Sequence, residues 1–66
     1  MKQIYDIGEL QENQYYLFTP KEGLAPYLCG VYRINFVARN SGLFSVYNRT
    51  GEWHFDSFVT IFAIRE

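Results

Sequence analysis

Glu52, His54 and Asp56 alternate along one stretch of the chain, and in a strand residues two apart point to the same face. An imidazole between two carboxylates can offer ligands to one divalent cation, or pair a base with a carboxylate for proton transfer. Same-face neighbours on a strand stand about 6.6–7 Å apart, however, too far for direct hydrogen bonds without a bend. A solvated polar face beside Trp53 is the plainer account. Cys29 with His54 as base is a second conceivable pair. It lies between Leu28 and Gly30, with no nucleophile-elbow pattern and no third orienting residue, so a small buried hydrophobe is expected there. The five glycines are placed singly at apparent turns and build no phosphate loop. No catalysis, metal or cofactor is expected.

The elements that would position these residues centre on 31–55. Tyr32, Ile34, Phe36 and Ala38 recur with period two, which predicts a strand burying that face. Arg39-Asn40-Ser41-Gly42 suits a turn with Gly42 in the left-handed position, pairing Ala38 with Phe44 and Phe36 with Val46. A second break falls at Asn48-Arg49-Thr50-Gly51. A two-residue Thr50-Gly51 loop would pair Val46 with Phe55 and Arg49 with Glu52, placing Trp53 and Phe55 inside and Glu52, His54 and Asp56 in water. A three-residue loop ending at Gly51 would slip the register by one and turn His54 inward. The first is preferred because it buries the tryptophan.

Around this meander, residues 2–7 read as a first strand with Ile4 inward, and Glu9 to Asn13 as at most one helical turn. Tyr15 to Phe18 reads as a strand stopped by Pro20. Residues 19–30 form an irregular, proline-punctuated stretch in which Leu24, Tyr27 and Leu28 should lie at the surface. Asp56-Ser57 suggests a bulge or corner, and 58–64 a β-branched central or barrel-closing strand. Pairing that strand with residues 2–7 would remove bare sheet edges. The expected architecture is all-β: one small domain over 1–66, a five- to six-stranded antiparallel barrel or strongly twisted sheet in the SH3-like size class. Ile4-Tyr5-Asp6 looks superficially like the opening of an SH3 domain. The paired tryptophan and the C-terminal proline-tyrosine segment of that family are missing, so no SH3 function is carried over.

Composition narrows function by exclusion. The chain has 66 residues, six Lys/Arg against seven Asp/Glu and a net charge of −1, which supplies no basic surface for phosphates. One cysteine excludes an internal disulfide and a multi-cysteine zinc site. With no apolar segment after Met1 and no run of about 18 apolar residues, neither a signal peptide nor a membrane span is expected, and a reduced, cytoplasmic setting is the default. Asn48-Arg49-Thr50 matches a glycosylation sequon but is more simply a turn.

Six tyrosines, six phenylalanines and one tryptophan make a fifth of the chain, more ring area than so small a core can hide. Tyr, Trp and Arg dominate binding hot spots. The candidate protein interface is therefore Tyr15, Tyr16, Leu24, Tyr27, Tyr32, Arg33, Tyr47 and Trp53. Arg33, Arg39 and Arg49 near Tyr32, Tyr47 and Trp53 also suggest base stacking on a small barrel, but these arginines fall at opposite ends of the meander and acidic residues offset the basic ones, which disfavours nucleic acid. The expectation is a non-enzymatic binder of another protein, an inhibitor or adaptor such as the counter-defence or host-takeover factors of bacteriophages. A self-associating accessory subunit is the alternative, with single-strand nucleic-acid binding third.

Overall fold

The computed structural model describes residues 1–22 and 27–64. It is all-β, with six strands: β1 (Lys2–Gln3), β2 (Tyr15–Pro20), β3 (Gly30–Ala38), β4 (Leu43–Val46), β5 (Trp53–His54) and β6 (Phe58–Ala63). Every pairing is antiparallel, in the order β1-β6-β2-β3-β4-β5. The chain's first and last strands pair as the apolar C-terminal run predicts, Lys2 opposite Ala63 and Gln3 opposite Phe62. The sheet is nonetheless open. β1 and β5 are its two ends, so it is a twisted sheet and not a closed barrel.

One strand serves two partners. The first half of β3 pairs with β2, Tyr32 opposite Tyr16 and Arg33 opposite Tyr15, and its second half pairs with β4. Between Ile34 and Phe36 the register shifts, and such a bulge bends its strand. Packing shows the effect. In a flat sheet β6 and β4 would stand about 14 Å apart at the usual spacing of about 4.8 Å per strand. Instead the Phe44 and Phe58 ring centroids are 5.7 Å apart, and Phe18 lies 5.4 Å from Phe44 and 5.2 Å from Phe58. The sheet has coiled over itself and packs its core between its own halves. Leu10 and Leu28, both fully buried, fill the rest of that core with Ile34 and Ile61. Leu28 thus departs from the surface position expected of its segment.

The bulge also overturns the parity read along β3. Ile34 stays inside, but Val37 replaces Phe36 and Ala38 on the inner face, and Phe36 is 54% exposed. The pairs become Val37 with Phe44 and Phe36 with Ser45, one residue off the expected set, because one extra residue exchanges the faces of a strand. The turn pairs Ala38 with Leu43 and not with Phe44, but its glycine is as expected. Gly42 has φ +74°, and both Ser41 and Gly42 donate to the Ala38 carbonyl at 3.2 and 3.0 Å.

The second connection fits neither expected register. Phe44 pairs with Trp53 and Leu43 with His54, which leaves 47–52 as a longer loop with Asn48 (φ 71°) and Gly51 (φ 117°) in left-handed conformations. Trp53 is buried and His54 exposed, so the inside-outside choice survives the register error. The first strand is shorter than 2–7. Ile4 adds one backbone bond to Ile61 (2.7 Å), and then Asp6 caps a 3-10 turn, Ile7–Glu9, by accepting from Gly8 N–H. The segment expected to make one helical turn, Glu9 to Asn13, instead makes a tight turn in which Gln14 N–H donates to the Gln11 carbonyl at 3.4 Å. The corner before β6 is a second 3-10 turn, Phe55–Ser57.

Two substitutions test this geometry. Phe36→Ser should change stability by no more than about 0.5 kcal/mol, as surface changes do, whereas Val37→Ser should cost about 2 kcal/mol or more. Urea midpoints that reverse this order would exclude the bulge. Gly42→Ala should cost about 1–2 kcal/mol for its left-handed backbone, and more because a Cβ there would meet His54 Nε2 at 2.9 Å. His54→Ala in the same chain should recover the part owed to that contact.

Candidate protein-binding face

The described interface candidates do not form one patch. Tyr16 and Trp53 are 3% and 5% exposed and belong to the core. The Tyr16 hydroxyl accepts from Gln11 N–H at 2.9 Å and donates to the Glu9 carbonyl at 3.4 Å. Leu24 lies outside the described residues. The other five divide between two arginines on opposite sides of β3, because Tyr32 and Arg33 are adjacent in a strand and point to opposite faces.

On the outer side, Arg33 lies between two tyrosines. Its guanidinium carbon is 5.9 Å from the Tyr15 ring centroid and 5.1 Å from that of Tyr47, within the range of cation–π attraction. Asn13 sets this arrangement. It adopts φ 71°, which asparagine tolerates better than most residues, and its N–H donates to the Ile34 carbonyl at 2.7 Å. In that pose its carbonyl accepts from Arg33 Nε at 3.3 Å and its Oδ1 from the Tyr47 hydroxyl at 2.9 Å. Tyr47 N–H also donates to the Arg33 carbonyl at 3.0 Å.

The same face continues into apolar ground. Val31, two residues from Arg33 along β3, opposes Leu17, and Leu17 opposes Phe62 of β6. Tyr15 and Val31 are 48% and 53% exposed, and Leu17 and Phe62 are half-buried. Asn13, Val31, Leu17 and Phe62 were missed in the sequence. Alternation through Tyr15 and Leu17 was a usable signal for Leu17, but no hydropathy pattern marks Asn13.

The inner cluster is turned on itself. Arg49, in the loop before β5, lies 5.7 Å from the ring centroids of both Tyr32 and Trp53. It donates to the Tyr32 hydroxyl at 3.0 Å and to the Tyr27 carbonyl at 2.7 Å. Tyr32 packs against Phe18, so Arg49 ties two loops to the core. Trp53 Nε1 is buried with no hydrogen-bond partner among the described residues. Arg39 donates to the Leu10 carbonyl at 2.9 Å. All three of these arginines thus donate to a backbone carbonyl, Arg33 to that of Asn13, Arg39 to that of Leu10 and Arg49 to that of Tyr27.

The residues first considered for chemistry do not alternate along one strand. Only His54 sits in a strand; Glu52 precedes it and Asp56 is in the 3-10 turn. His54 Nδ1 accepts from Asp56 N–H at 3.1 Å, capping that turn, with Asp56 Oδ2 at 3.8 Å. No group of three or more metal-ligating side chains occurs among the described residues. Cys29 is exposed and free, against the buried position expected of it. An open groove of about 630 Å³ beside Ile4, Tyr16 and Ile64 is lined largely by Lys2, Glu9, Gln11, Asn13 and Gln14, unlike the mostly apolar walls of small-molecule sites. No helix among the described residues is long and apolar enough to cross a membrane.

Arg49→Ala should lower stability by about 1–2 kcal/mol, since two hydrogen bonds and two ring contacts are lost together. Arg49→Lys should recover little of it, because one ammonium cannot reproduce the planar fork. Thermal melts of the three proteins decide this, and a lysine variant as stable as the parent would exclude the clamp.

Comparison with protein-family models, with curated proteins and with solved structures gives no match, so the functional reading rests on the geometry of these two clusters.

Proposed function

We propose that this chain is a non-enzymatic binding protein that docks on another protein through the outer face of β2, β3 and β6. The observation that supports this is the exposure of Tyr15, Val31 and Tyr47 around Arg33. Tyrosine and arginine held in place by Asn13 give up little side-chain entropy on binding, which favours affinity. An inhibitor or adaptor, of the kind bacteriophages and other mobile elements carry, needs such a face and nothing more. The inner cluster contributes less: Tyr27 is 52% exposed, but the Arg49 Nη groups are held by the Tyr32 hydroxyl and the Tyr27 carbonyl.

The experiment is affinity capture of the tagged protein from its host's lysate, half of it nuclease-treated, read by mass spectrometry and nucleic-acid staining. One stoichiometric protein partner is expected to survive nuclease and to disappear with Tyr15→Ser/Tyr47→Ser, whereas His54→Ala keeps it. Recovery of nucleic acid alone would overturn the reading. Recovery of only the protein itself, with a melting temperature that rises with concentration, would favour self-association through the same face.

A further inference from the structure

Resting on that reading, we infer that Arg33 is a receptor for a carboxylate: the partner presents an aspartate or glutamate side chain surrounded by apolar ones. The guanidinium is held on three sides, by the Tyr15 and Tyr47 rings and by the Asn13 carbonyl at Nε. Neither of its Nη groups has a hydrogen-bond or ion-pair partner among the described residues. What remains is a planar fork of donors already fixed in place, the geometry that carboxylates fill with two parallel hydrogen bonds.

The charge pattern of the sheet selects the partner. No strand residue is acidic; Asp6, Glu9, Glu12, Glu22, Glu52 and Asp56 all lie in turns and connections. Lys2 and Arg33 are the basic residues in strands, and Lys2 is paired with Glu9 at 3.8 Å. Among the described residues, Arg33 is left as the uncompensated charge of this surface. A partner that covers Val31, Leu17 and Tyr15 must take water from Arg33 as well. A neutral partner would strand a desolvated charge at heavy cost, so docking favours a surface that supplies the counter-charge. A phosphate chain fits poorly, because its affinity grows with the number of phosphates neutralised and the described residues of this face offer one cation.

A displayed library of short random peptides, selected on the immobilised protein, tests the inference without knowledge of the natural partner. The expected winners carry Asp or Glu beside apolar residues. Their affinity, read by fluorescence anisotropy, should fall about ten-fold or more with Arg33→Gln, or when the peptide's Glu is replaced by Gln. Arg33→Lys should fall between, and unchanged melting would show that each variant is folded. Winners without acidic bias that still depend on Tyr15 and Tyr47 would overturn the carboxylate while leaving the binding face intact. An empty selection, or winners indifferent to Tyr15→Ser/Tyr47→Ser, would overturn both. So would tighter binding of oligo(dT) than of any selected peptide, or a dimer in sedimentation that Tyr15→Ser dissolves.

Discussion

A sheet with no helix to cover it can hide an apolar face only against itself. In this chain that burden falls on the middle of β3, where the register shifts between Ile34 and Phe36. The bend turns β4 and β5 back over β2 and β6, bringing Phe18, Phe44 and Phe58 into mutual contact from strands that a flat sheet would hold apart. Burial of these rings is the dominant favourable term for so short a chain. The same bend divides the surface, making the concave side a core and leaving the convex side of β2, β3 and β6 bare.

That division explains why two arginines in similar aromatic surroundings play different parts. Arg49 sits where the loops meet the core, and each of its Nη groups donates there, one to the Tyr32 hydroxyl and one to the Tyr27 carbonyl. Arg33 sits on the convex side, where only Nε is used among the described residues. One holds loops together, and the other is held. The contrast arises from strand parity: Tyr32 and Arg33 are neighbours in sequence and face opposite ways.

Much of the fold was legible because it follows from local pattern. The β-branched run from Phe58, the apolar run from Tyr15 to Phe18 and the turn glycine at Gly42 all lie where the sequence places them. The face of Phe36 was not legible, since a bulge depends on how a strand must bend to satisfy distant partners, and nothing in Val31 to Ala38 marks the extra residue. The loop before Trp53 failed differently. A turn residue, Gly51, was recognised, but the length of a loop is decided by where its strands stop pairing. For the site, residue type identified the rings and Arg33 but not their grouping, which follows from the faces they occupy. Asn13 could not be found, because its role rests on a left-handed backbone and two hydrogen bonds across the sheet.

The open ends of the sheet are two residues long each, Lys2–Gln3 and Trp53–His54. A bare edge normally recruits another strand, and repeated recruitment is how cross-β fibrils grow. Here each edge is too short to template more than a fragment, and one carries a lysine. A chain that is nearly half apolar therefore keeps its stickiness on a face of side chains, where contact is selective. Its two end strands offer a backbone template only two residues long.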